Sequence, residues 1–165
     1  MMVSTDHNAL VLTASDLEVD NALSRLRATG VDIRVLRGEK MLDPQSAYDE
    51  IAAAFQFPLY FGHNLMGVDD LLTDLGWLDS DHGWAAVIAH AERFLSEDLH
   101  REQDLPAFAR MFMRAKEYWA GSVRYDESTA PPQLPFNLVL VGSETDPAMT
   151  EAWSKAAIDF TEVRL

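Results

Sequence analysis

Apolar residues along the chain follow two different rhythms. Short runs of strand length stand at residues 9 to 13 (Ala-Leu-Val-Leu-Thr), around Val31, Ile33, Val35 and Leu36, at Trp84 to Ala89, and at 136 to 141 (FNLVLV). They are dense in aliphatic and β-branched side chains, and the run at 84 is nearly continuous, as expected of a strand covered on both faces. Residues 160 to 165 read as an additional edge strand.

Between these runs apolar residues recur three or four positions apart, the helical period. Ser15 or Asp16 can cap a helix carrying Leu17, Leu23 and Leu26 and closed by Gly30. Asp43-Pro44 supplies an N-cap and a first-turn proline for a helix to about residue 55, which Phe57-Pro58 breaks. Asn64 opens a helix over 65 to 76. A further helix over 105 to 120 carries Leu105, Phe108, Ala109, Phe112, Ala115, Tyr118 and Trp119, and Gly121 closes it; the polar stretch 94 to 104 before it reads as a short helix or turn. Residues 121 to 135, with three prolines, predict a mobile surface loop, and Asp146-Pro147 opens a last helix to about 157. Strands alternating with helices predict an α/β fold: a small, mainly parallel sheet of three to five strands covered by helices, in one domain. Residues 8–30 form an N-terminal strand and helix, 31–143 the core, and 144–165 a C-terminal helix and tail.

The helix after Asn64 divides into two faces. Leu65, Val68, Leu71, Leu72 and Leu75 form one apolar stripe, which must face the sheet; Met66, Asp69, Asp70, Thr73 and Asp74 fall opposite. Three carboxylates within about two turns have no cation on the same helix, and Asp74 stands against the helix dipole. Such a face suits a solvated surface or a positive partner. In the preceding loop, Leu59-Tyr60-Phe61-Gly62, Phe61 is expected in the core and Tyr60 at the rim of a binding surface. Gly62 is expected to supply a positive φ or a close backbone approach.

Charge sharpens this picture. The chain has 165 residues with 13 Lys and Arg against 27 Asp and Glu, a net charge of −14, which excludes a polyanion binder such as a nucleic-acid protein. From 41 to 92 there is no Lys or Arg, while nine acids occur, so this third carries −9. There is no Cys, no basic leader with an apolar core, and no run approaching a membrane span, which gives the cytoplasm as the expected location. Nucleotide-binding glycine motifs, a phosphate-cradling loop and a nucleophile elbow are missing. The histidines (His7, His63, His82, His90, His100) lack the i, i+4 spacing of a metal-binding helix face, so no metal, cofactor or catalytic residue is expected.

The stretch FPLYFGHNLMGVDDLLTDLGW, residues 57 to 77, resembles the barstar family of ribonuclease inhibitors. The resemblance extends more thinly from the strand near Ile33 through Trp84-Ala-Ala-Val-Ile, the Tyr118-Trp119-Ala120 helix end and Pro135-Phe136-Asn-Leu-Val-Leu, about two thirds of the chain. It implies a small parallel sheet covered by helices that presents an acidic helix and its preceding loop to a basic ribonuclease, plugging the active site without catalysis. By that resemblance Asp70 matches the dominant acidic contact, Tyr60 the aromatic packed on the nuclease, Asn64 a polar contact at the helix start, and Thr73 a rim contact. Gly62, Met66, Asp69 and Asp74 complete the expected partner-binding set. Two positions depart from the family pattern: Met66 stands where an Asp is common, and Arg114 where an acid stands on the later helix. Asp69 and Asp74 are the residues placed to compensate. The expected role is an inhibitor or immunity protein that neutralises a basic ribonuclease or toxin. The alternative is a barstar-like regulatory adaptor for a non-nuclease partner.

Overall fold

A computed structural model describes residues 8–13, 15–122, 133–143, 147–156 and 158–165. Five strands form one sheet: β1 (Ala9–Thr13), β2 (Asp32–Arg37), β3 (Trp84–Ala89), β4 (Phe136–Ser143) and β5 (Thr161–Arg164). The helices are α1 (Asp16–Arg27), α2 (Pro44–Ala54), α3 (Leu65–Leu72), α4 (Arg101–Trp119) and α5 (Pro147–Lys155). The spatial order is β2-β3-β4-β1-β5, and every neighbouring pair is parallel. The N-terminal strand therefore lies inside the sheet, with Val11 opposite Val141 of β4 and Val163 of β5.

The strand period of two sorts the core into two layers. Leu10 and Leu12 of β1, Ala86 and Ile88 of β3, and Phe136, Leu138 and Leu140 of β4 face the larger layer, shared with α2 to α5. Ala9, Val11, Ala85, Val87, Val139 and Val141 face the other side, where Val19, Leu23 and Leu26 of α1 cover them. Helices on both faces explain why the central strands read as unbroken apolar runs. Trp153 of α5 is fully buried in the larger layer, stacked on Phe94 with ring centroids 5.3 Å apart.

Local signals set most boundaries. Ser15 caps α1, and Gly30 (φ 90°) ends the turn that follows it. Asp43 and Ser46 form a reciprocal capping box at α2, with Pro44 in its first turn. Two expectations need correction. The helix expected over 65–76 stops at Leu72: Thr73 is its C-cap, and Leu75, though buried, has a left-handed backbone (φ 44°). The helix expected from 105 begins at Arg101, and Pro106 sits inside it, removing one backbone donor near the N-terminal end. Glu102 and Asp104 favour that first turn through the helix dipole. Most of the loop expected over 121–135, Asp146 and Ala157 lie outside the described residues.

The exposed edge β2 is tied to α2 by a forked ion pair. Arg37 Nε and Nη2 donate to Glu50 Oε1 and Oε2 at 2.7 and 2.9 Å, and the Arg37 backbone N–H donates to Oε1 at 3.1 Å. The Arg37 hydrogen bonds hold the Glu50 carboxyl below its ordinary 4.5, outweighing burial. A depressed carboxyl pKa contributes stability above pH 4.5, lost as pH falls through the lowered value in the folded chain. Because Arg37 is more than half exposed, solvent screens the pair. Glu50→Gln is expected to cost about 1 kcal/mol near neutral pH. In urea titrations the gap to the parent should close as acid protonates Glu50.

Candidate functional site

Residues 57 to 64 connect α2 to α3, and aromatic packing fixes their path. Gln56 (φ 53°) turns the chain out of α2. Phe57 packs edge-on against Phe61 at 5.1 Å and Trp77 at 6.0 Å, and the Trp77 indole N–H donates to Phe55 O at 3.0 Å. Phe61 N–H donates to Pro58 O at 3.0 Å, closing a turn whose central residues are Leu59 and Tyr60. With both ends of the turn anchored, its tip projects: Tyr60 is 74% exposed and Leu59 fully so, whereas Phe61 is buried as expected.

Asn64 joins this turn to the helix. Its Oδ1 accepts from Gly67 N–H at 2.8 Å as the N-cap, and its Nδ2 donates to Gly62 O at 3.1 Å. The expected polar contact is thus engaged in positioning the loop. Gly62 does not supply the positive φ foreseen for it; that conformation falls on His63 (φ 51°). A side chain on Gly62 would meet the Asn64 amide at 3.0 Å, so close approach is the constraint there. The His63 ring lies on Phe61 at 4.8 Å, with Nδ1 2.8 Å from Asp49 Oδ1. At the other end of α3, Thr73 Oγ1 donates to the carbonyls of Asp69 and Asp70, and the Trp119 indole N–H donates to Leu72 O at 2.8 Å. These donors occupy carbonyls that a longer helix would have used, which accounts for the early stop.

The helix presents its two faces much as its pattern implies, with one exception. Val68, Leu71 and Leu72 are buried, Leu65 is half-buried, and Met66, Asp70 and Asp74 are exposed. Asp69 was expected on the open face, but it turns towards α4. Arg114 Nη1 lies 2.5 Å from Asp69 Oδ2, the Asp69 side chain is only 12% exposed, and its Oδ1 is buried without a hydrogen-bond partner. Burial pushes the Asp69 carboxyl above its ordinary value; Arg114 pulls against this, and neighbouring Asp70 adds to it. The sequence pattern of one helix held no signal for a cation arriving from another. Arg114→Ala is expected to cost about 1 kcal/mol at pH 7, discounted for the half-exposed guanidinium. That cost should shrink in mild acid, where the unpaired Asp69 takes up a proton, and denaturant midpoints at both pH values would check it.

Internal contacts engage part of the acidic third, but among the described residues only two of its carboxylates meet an arginine. Asp43 spends its carboxylate on the α2 cap, Asp49 on His63, Glu50 on Arg37, and Asp69 on Arg114, while Glu92 lies near His90. Among the described residues, Asp70, Asp74, Asp79 and Asp81 form no salt bridge. The loop and helix thus place Tyr60 and Leu59 at one end and Asp70 and Asp74 at the other, with Met66 between them in sequence. Leu59 is absent from the sequence-based site set; its signal was an apolar side chain at a turn centre beside a proline. No group of three or more metal-ligating side chains is assembled among the described residues.

A family described as "Barstar (barnase inhibitor)" matches residues 31–137. No curated protein matches the chain. Among solved structures, one similar fold is the ORC2 protein of Aeropyrum pernix in its ADPNP-ADP complexes, at 11% identity and a TM-score of 0.49. The match covers 97% of this chain and 41% of that one, so this chain spans about two fifths of its length.

Proposed function

The chain belongs to the barstar family, and from that premise we propose that it is a non-catalytic inhibitor or immunity protein that blocks a basic ribonuclease or related toxin with the face spanning Tyr60 to Asp74. The observation that carries this reading is the exposed Asp70 carboxylate. Among the described residues no cation pairs with it, and it stands on a helix whose start is pinned by Asn64 beside the projecting Tyr60. A carboxylate so placed can receive an arginine bidentately, while Tyr60 adds apolar area that excludes water from the pair. The net charge of −14 supports rapid encounter with a cationic enzyme.

Gly62 and Asn64 hold the loop in place, and Thr73 serves the rim while closing the helix. Met66 takes part through apolar contact, and Asp74 extends the acidic face. Asp69, neutralised by Arg114, supports α3 in the free chain. No described helix is long and apolar enough to cross a membrane, and the cytoplasm is the proposed place of action. The exposed Met66 and the Asp69–Arg114 pair also favour a second reading, an adaptor that binds a non-nuclease basic protein.

Titration of the full chain into a panel of basic ribonucleases and toxin domains, with residual activity as readout, tests the proposal. Stoichiometric loss of activity for at least one enzyme is expected, weakened by Tyr60→Ala. A panel left uninhibited at equimolar chain would remove the ribonuclease reading, and a stable complex with a non-nuclease protein would establish the adaptor.

A further inference from the structure

Six large apolar side chains are exposed among the described residues, and three of them, Leu59 (108%), Tyr60 (74%) and Met66 (75%), fall within eight positions around the start of α3. Exposed apolar clusters of this kind mark interaction surfaces when polar groups border them. The border here is a single open carboxylate on α3: Asp70 is exposed, whereas Asp69 is held by Arg114. Asp74 follows only beyond the end of the helix.

We infer that this face fits a partner surface that sets one arginine or lysine within an apolar depression, not a row of cations; the inference rests on the reading that residues 59 to 74 bind a basic protein. A row of cations would have to bury charge against Leu59 and Met66 with no anion opposite, leaving desolvated and unpaired ions. One cation opposite Asp70, bordered by Met66 one turn earlier on the same helix face, with Tyr60 and Leu59 extending the apolar area beyond it, leaves no such orphan, and exclusion of water strengthens the central pair. A second copy of the chain is disfavoured by like charge, −14 on each molecule. For a small ligand carrying a single cation, attachment is then governed by apolar burial around one ion pair, and it should respond weakly to salt.

The test is selection of random displayed peptides of about twelve residues against the full chain. Selected clones are then compared on the parent, Asp70→Asn and Met66→Asp. Both positions are exposed, so both variants keep the fold. The expected peptides carry one Arg or Lys flanked by Leu, Phe or Trp. They should bind either variant at least about fivefold more weakly. Their affinity should change less than about threefold between about 50 and 300 mM NaCl. Peptides with runs of Arg and Lys that bind Met66→Asp more tightly and weaken steeply with salt would overturn the inference while leaving the basic-partner reading intact. A selection yielding only clones that bind both variants as well as the parent, or no clones, would overturn the inference and the assigned face together.

Discussion

Asp70→Ala is expected to weaken inhibition of a susceptible basic ribonuclease by about 100-fold or more, which is about 2.8 kcal/mol at about 1.4 kcal/mol per tenfold. The size of the effect follows from the position of the carboxylate. Free Asp70 is solvated and forms no salt bridge among the described residues, so the folded inhibitor does not depend on it. On docking it would be desolvated against a cation, and its removal leaves that cation buried without a counter-charge. Asp74, beyond the helix end and nearer the rim, should cost less than about tenfold on the same change. Neutralising the peripheral Asp79 and Asp81 should slow association and flatten its salt dependence while leaving dissociation nearly unchanged. Inhibition constants with association and dissociation rates would separate these outcomes, and an Asp70→Ala chain as potent as the parent would contradict the assigned anchor.

Trp153→Ala is expected to destabilise the whole chain by about 3–5 kcal/mol. Trp153 is fully buried, stacked on Phe94, and its indole N–H donates to Ala91 O at 3.3 Å. The substitution removes the largest fully buried side chain and leaves that carbonyl without its indole donor. Trp153 lies beyond the segment that matches the family, 31–137, and so does β1, the strand between β4 and β5. If these terminal elements share one core with the family segment, chemical denaturation of Trp153→Ala should remain a single transition at a much lower midpoint. A loss below about 1 kcal/mol, or a separate early transition, would make α5 an appendage on an independently stable core.

The strands were legible where both faces are covered, because β3 and β4 are almost wholly apolar between two apolar layers, Asn137 of β4 being a buried polar residue that accepts from Lys116. Cap chemistry at Ser15, Asp43 and Asn64 was equally legible, since each acts on a backbone N–H three residues ahead. The end of α3 was not. Its apolar stripe runs on to Leu75, and periodicity reports burial, which Leu75 achieves from a left-handed backbone outside the helix. The position of β1 within the sheet had no local signal either, because pairing with β4 and β5 depends on residues more than a hundred positions away.

The candidate face divides in the same way. Projection of Tyr60 and burial of Phe61 follow from one being a turn centre and the other a turn end under α3. The fate of Asp69 depends on Arg114, forty-five positions later on α4, and a single helix read alone placed it wrongly in the open. His63, and not Gly62, takes the left-handed backbone, while its ring packs on Phe61 beside Asp49.

Backbone hydrogen exchange of the full chain, alone and saturated with a ribonuclease that it inhibits, tests the central claim most directly. Amides of the Leu59–Tyr60 turn and the outward side of α3 are expected to become protected in the complex, while the edge strand β5 is unchanged. Protection confined to β5, α1 or α5, with residues 59 to 74 exchanging as in the free chain, would contradict that claim.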